Sequence, residues 1–521
     1  MILTCDGECD RGECPRLESE MNQNPRTSSS MQKSRLGTDV VSTNEYGMAF
    51  PAMLSRREIL ATSALGFGEM AISALLQNNP TSAADGFANR HSFAARTHFE
   101  PRAKSVIMLM QNGGPSQMDL FDPKPELAKR AGQTLTVETF QQGNSDKLMA
   151  CPLEFRRYGE SGTEMSTLLP TLGAMADDFC LVRSMYSEHN NHTEGLVLLN
   201  TGKIFPGRPA LGSWISYGLG SENANLPAYL VLRDPEGYNT SGTLLWQNGW
   251  LPASHRGTEI ATVGTPVLNL QPPVPIPEPL RSNQLELLSR LNRQHQERYP
   301  FDSTLEARIS NYELAARMQL ATGDLLDLSK ETAETQRMYG LENPDSAGYG
   351  TRCLMARRLI ESGVRFVQVF PPVKPQFQPW DAHTNTKTEN EAICKRCDQP
   401  SGALLQDLKQ RGLLDSTIVI WSGEFGRLPV SQNGLGRDHN RNAFSAILAG
   451  GGFKSGVVYG ATDEVGYRSV ENRVSVPDLH ATLLHLLGLD HDRLTYSHHG
   501  GDETLTDARV TGARVVREIL S

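Results

Sequence analysis

STIVIWSGEFGRLPVSQNGLGRDHN, residues 416–440, is the stretch that decides how this chain folds. Its opening run, 417–421, is apolar and largely β-branched, long enough for a buried strand and too short for a buried helix. Directly behind it Glu424 stands between Gly423 and Gly426, and Arg427 follows. Further on, after Gly434 and Gly436, come Asp438 and His439. In an open α/β sheet, ligands bind outside the carboxyl ends of the strands, where loops of this kind converge. Carboxylate and imidazole are also the groups that bind a divalent metal such as zinc. The C-terminal rim of a sheet is therefore where chemistry is expected.

Working outward, three more strand ends carry polar groups. Residues 105–110 (SVIMLM) read as a buried strand ending in QNGGPS, 111–116, which supplies Asn112, with Asp119 behind it. Residues 180–185 read as a strand that runs through His189, Asn190, Asn191, His192 and Thr193 into an apolar helix, 195–200. A helix N-terminus presents unpaired N–H groups and a positive dipole, which suits an anion or a nucleophile attacking one. Asn190 or Asn191 reads equally well as a simple cap. A strand at 364–370 precedes the loop holding Trp380, Asp381 and His383.

Helices are expected at 166–179, 207–220, 353–363, 391–410 and 476–488, with strands at 228–232 and 444–448. Residues 234–280 read as loops. Residues from about 281 to 345 read as a helical insertion covering the sheet. A lone histidine is usually a hydrogen-bonded structural residue, but four such strand ends together supply the mixture used for hydrolytic metals.

The 521 residues, 38% hydrophobic and 21% charged, suit a large soluble α/β domain. A net charge of −9 and the lack of a Lys/Arg cluster exclude a nucleic-acid partner. Eight cysteines do not make a disulfide scaffold, and Cys394 and Cys397 form a CxxC without a second pair at zinc-finger spacing. Residues 1–52 are polar and aperiodic, expected to be disordered or a mis-assigned start. Residues 53–80 begin MLSRREIL and resemble a twin-arginine signal, and 81–103 read as a linker. The apolar run 59–76 contains Glu69 and is too weakly apolar for a stable membrane span. The chain is thus expected to use the twin-arginine export machinery and to end up periplasmic or extracellular.

FDPKP (121–125), NTG (200–202), RPALGSWISYGLGSEN (208–223), WDAH (380–383), GEFGR (423–427), GRDHN (436–440) and DLHATLLHLLGLDH (478–491) together resemble the DUF1501 family, from about residue 103 to the C-terminus. That family resembles the alkaline phosphatase and sulfatase superfamily in its core. The resemblance implies an alkaline-phosphatase-like three-layer α/β sandwich over 104–521, with a mostly parallel central sheet flanked by helices. It implies a metal-dependent hydrolase acting on a small-molecule or polysaccharide ester of phosphate or sulfate, or else a non-catalytic secreted glycan- or protein-binding relative.

Carried over by motif, Asp381, His383 and His439 stand as ligands of one metal, zinc or calcium. Glu424, with Asp438 nearby, falls at a second metal position, and Asn112 where a first acidic ligand belongs. Asn191, His192 and Thr193 cover the nucleophile segment. Phe425 stands in place of a histidine, Asn112 in place of an aspartate, and no cysteine marks the nucleophile slot, so one metal is expected before two. His192 would act as general acid/base or anion contact, and Arg427 would offset developing negative charge.

Overall fold

The computed structural model describes residues 97–138, 146–262, 276–299, 325–373, 377–431 and 433–521, with isolated residues between 305 and 315. The chain divides into Met1–Gln77 and Asn78–Ser521, and everything described belongs to the second unit. The expectations for 1–52, 53–80 and most of the linker lie outside the described residues.

The run 105–110 forms strand β1, Ser105–Met110, with every residue buried. Its side chains alternate between two cores: Val106, Met108 and Met110 enter one, Ile107 and Leu109 the other. A strand covered on both faces is apolar over most of its length, which is why no polar alternation shows in its sequence. The remaining strands of the sheet are β2 (Phe179–Tyr186), β3 (Tyr229–Leu232), β4 (Thr258–Glu259), β5 (Phe366–Val369) and β6 (Thr417–Ser422). A hairpin of β7 (Gly426–Ser431) and β8 (Arg437–Asn440) stands apart, and β9 (Phe444–Ala449), β10 (Val457–Tyr459) and β11 (Val474–Ser475) return to the sheet.

The sheet order is β10-β2-β9-β6-β1-β5-β3-β4, with β11 on β2. All pairs are parallel except those of β9, which is antiparallel to β6 and β2. The C-terminal ends of β1, β2, β5 and β6 therefore share one rim.

Helices α1 (His192–Thr201), α2 (Leu211–Leu219) and, at the chain's far end, Val476–Leu486 contribute to one core, through Leu196, Trp214 and Leu483 among others. Two long helices, Ala347–Glu361 and Thr386–Gln410, contribute Leu354, Cys353, Cys394, Cys397 and Leu404 to the other. The architecture is thus the expected helix–sheet–helix sandwich. Cys394 and Cys397 are buried free thiols inside the longest helix.

The 166–179 segment departs from the expected single helix. It holds only Pro170–Gly173 and the 3-10 turn Ala176–Asp178, because Pro170 starts a fresh turn that ends at Gly173. Within 281–345 the described parts include the helix Glu278–Arg298 and the short helix Ala333–Met338. Glu331 from this region bridges Arg357 at 2.8 Å and Arg358 at 2.5 Å, fastening it to the sheet-covering helix.

His480 on the terminal helix is 1% exposed and donates through Nε2 to the Leu199 carbonyl of α1 at 2.9 Å. Burial pushes its pKa down to about 4, against the opposing carbonyl hydrogen bond. The folded state therefore refuses a proton that the unfolded chain accepts near pH 6.5, so this contribution is complete above 6.5 and is lost as pH falls toward 4. A His480→Gln variant should lose about 3 kcal/mol of that pH dependence, read from urea denaturation at pH 7 and pH 4.5. An unchanged slope would show that His480 does not carry it.

Candidate metal centre

The site is assembled from three loops at the shared rim. After β1 the chain turns at Gly113, whose φ is +116° and where a Cβ would sit 2.6 Å from the Asp381 nitrogen. Only glycine lets β1 and the Asp381 loop approach so closely. A Cβ at Gly436 would likewise collide with the His383 carbonyl, which is how the β7–β8 hairpin packs under the same loop. The third loop leads from β2 into the N-terminus of α1, where His192 is the first helical residue.

These loops bring His192, Asp381, His383 and His439 together, with one donor atom from each lying within 4.8 Å of all the others. His383 Nε2 is 2.8 Å from Asp381 Oδ1 and 2.8 Å from His439 Nε2. His439 Nε2 is 3.2 Å from Asp381 Oδ1, and His192 Nε2 is 3.2 Å from Asp381 Oδ2. The outer nitrogens settle the tautomers. His439 Nδ1 donates to the Asn190 carbonyl at 2.7 Å, and His192 Nδ1 donates to Glu424 Oε1 at 2.6 Å. With Nδ1 carrying the proton in each ring, both Nε2 lone pairs face a carboxylate. Acceptors pointed at acceptors require a cation between them, a proton or a metal ion. Three imidazoles and one carboxylate make a donor set that fits a tetrahedral divalent site.

The electrostatics agree with that geometry. Burial works to raise the Asp381 pKa, but the Arg427 guanidinium and hydrogen bonds from His192, His383 and His439 outweigh it and hold the carboxyl well below its usual range. Burial draws His192 down, yet hydrogen bonds to Asp381 and Glu424 leave it raised. His439 is pushed down to about 4 by burial, and the charges of Arg427 and His192 add to this against the Asp381 hydrogen bond. A raised His192 and a lowered His439 mean that a proton, like a metal ion, is drawn to the space between His192 and Asp381, and a metal entering there displaces that proton.

Several expected residues take other positions. Glu424 is fully buried and is not among the four donors; its two oxygens accept the Gly113 N–H at 3.0 and 3.2 Å, and one orients His192. It is the carboxylate behind a histidine, an arrangement that fixes ring orientation and raises ligand basicity. Asp438 is also outside the donor set, because its Oδ1 turns back to accept the His439 backbone N–H at 2.7 Å.

His192, expected as acid/base or anion contact, sits inside the donor set. Arg427 is fully buried: it pairs with Asp381 at 2.5 Å and spends its other N–H groups on the carbonyls of Gly113, Gly114, Arg437 and Trp380. It neutralises Asp381 rather than facing outward. Asn191 occupies the N-cap position of α1 without a side-chain cap bond, and Thr193 is exposed. Asn112 lies at the end of β1, fully buried, with neither side-chain atom hydrogen bonded. Phe425 packs its ring 4.9 Å from that of His192 and 4.7 Å from that of His439. The sequence reading missed the Asn190 carbonyl and the Gly113 N–H, backbone groups that leave no residue-type signal.

Solved structures to which the chain is similar include a phosphonate monoester hydrolase from Silicibacter pomeroyi, 12% identical, covering 80% of this chain and 76% of that one at a TM-score of 0.36. The lipoteichoic acid synthase LtaP from Listeria monocytogenes is 10% identical, with 81% and 79% covered and a TM-score of 0.33. A protein in the alkaline phosphatase superfamily from Vibrio parahaemolyticus is 12% identical, with 75% and 68% covered and a TM-score of 0.31. No curated protein matches. The family described as "Protein of unknown function (DUF1501)" matches residues 103–520, which takes in every element of the sheet and all four clustered donors, and the chain belongs to that family.

Proposed function

We propose that this chain is an exported, metal-dependent hydrolase of phosphate or sulfate esters, working at the rim cluster with one divalent ion. The observation that carries the reading is the convergence of His192, Asp381, His383 and His439 within 4.8 Å. Zinc suits three imidazoles and one carboxylate, whereas calcium takes about six to eight oxygens. When bound, such an ion supplies Lewis acidity toward an ester oxygen and lowers the pKa of a water to about 7. The chain's own residues do the rest. Glu424 and the Asn190 carbonyl hold two imidazoles in register, Arg427 keeps Asp381 ionised, and Asp381 and His383, about a fifth exposed, form the side open to a substrate.

A second reading, a secreted binding protein that hydrolyses nothing, is favoured by two features. Four protein donors can fill a tetrahedral ion completely, as in structural zinc sites. Thr193, the one hydroxyl in the nucleophile segment, is exposed, whereas His192 beside it is buried in the cluster. Metal analysis of the protein purified after export should find about one divalent ion per chain, lost in a His383→Ala/His439→Ala variant, together with metal-dependent turnover of phosphatase or sulfatase model esters. Bound metal without turnover, but with affinity for a sulfated polysaccharide, would select the second reading. Metal-free protein with unchanged activity would end the first.

A further inference from the structure

We propose that Gln111, which touches none of the four clustered donors, is a positioning residue that sets the place of Asp381 by clamping the indole of Trp380; this rests on the metal reading above. Gln111 closes β1 and is fully buried. Its Oε1 accepts the Trp380 Nε1–H at 2.8 Å, while its Nε2 donates to the Tyr349 hydroxyl at 3.1 Å. Trp380 is the residue before Asp381. Its backbone N–H donates to the Asn112 carbonyl at 3.1 Å, its carbonyl accepts from Arg427 at 3.4 Å, and its ring meets that of Trp421 on β6 edge-on at 5.4 Å.

The loop that carries both Asp381 and His383 is thus tied to the central strand at a backbone point and at a side-chain point. A backbone bond alone leaves rotation about the Asn112–Trp380 contact. The indole bond to Gln111, braced in turn by Tyr349, adds to the Arg427 bond at the Trp380 carbonyl and fixes the side-chain end of that residue. Asp381 contacts all three histidines, so a shift in its approach alters every donor distance at once. Groups bonded directly to a ligand typically control metal affinity about tenfold to a hundredfold, and Gln111 acts one residue further out, so its effect falls at or below the lower end of that range.

The test compares zinc affinity, by competition with a chromophoric chelator, in the full chain and in Gln111→Met, Trp380→Phe and the double variant. Each single change should weaken zinc about threefold to tenfold, and the double variant should be no weaker than the worse single one, since both remove the same bond. Thermal unfolding of the metal-free forms is followed alongside, because a purely structural role lowers that midpoint without this shared loss of affinity. If Gln111→Met does not fold, Trp380→Phe alone carries the affinity comparison. Wild-type affinity in both single variants, or losses that add in the double, would overturn the proposal. A wild-type chain that takes up no zinc would overturn the metal reading and this inference together, and that arm separates the two failures.

Discussion

Replacing Asp381 by alanine should remove bound metal and cost about 3–5 kcal/mol of folding stability at once, the largest effect expected of any single change in the site. The reason lies in what Asp381 faces. Its Oδ1 takes Arg427 at 2.5 Å, and Arg427 is fully buried, with Asp381 as its paired anion among the described residues. Removing one member of a buried pair leaves an uncompensated charge in low dielectric, and that penalty exceeds the net worth of the pair itself. The same carboxylate is also within 3.2 Å of all three histidines, so its loss scatters the ligand set. Zinc content and urea denaturation in a chelator separate the two effects. An alanine variant that retained zinc and full stability would show that Asp381 is neither ligand nor counter-charge.

The second large effect is expected away from the donors. Asp119 and Arg437 form an ion pair with both side chains at 0% exposure, Nε to Oδ2 at 2.7 Å and Nη2 to Oδ1 at 3.0 Å. Arg437 also donates to the carbonyls of Leu428, Pro429 and Met149. It thereby pins β8, the strand bearing His439, to the turn after β1. Asp119→Ala should cost about 3–5 kcal/mol, because a fully buried guanidinium loses its anion. The Asp119→Ala/Arg437→Met double variant should cost less than the sum of the singles, since removing both charges lifts that penalty. Denaturant midpoints measure this directly. A single-variant loss under about 1 kcal/mol would mean that water reaches the pair.

Much of this architecture could be read from residue patterns, for a physical reason. Sheet strands covered on both faces are mostly apolar, so 105–110 and 417–421 stood out as short runs ended by glycine-rich turns. The convergence of Asp381, His383 and His439 was legible because each stands in a polar stretch behind a strand, and the strand ends share one rim. The roles of Glu424 and His192 were not legible. Whether a carboxylate ligates or stands behind a ligating histidine depends on about 2–3 Å of side-chain reach, which spacing along the chain does not encode.

Asp438 misled for a similar reason: beside His439 in sequence, it folds back onto the next backbone N–H. The hairpin of β7 and β8 read as a loop because Arg427, Pro429, Gly434 and Gly436 interrupt any apolar run, yet both strands are wholly buried. Arg427 and Arg437 satisfy their charges inside through Asp381, Asp119 and backbone carbonyls, a tertiary pairing no local pattern reveals.

The most direct test of the metal centre is an anomalous-difference map at the zinc edge, from crystals of the exported protein never exposed to chelator. One peak is expected, about 2.0–2.2 Å from imidazole nitrogens of His192, His383 and His439 and from a carboxylate oxygen of Asp381. A map with no peak among those four side chains, or with its metal held elsewhere, would contradict the account.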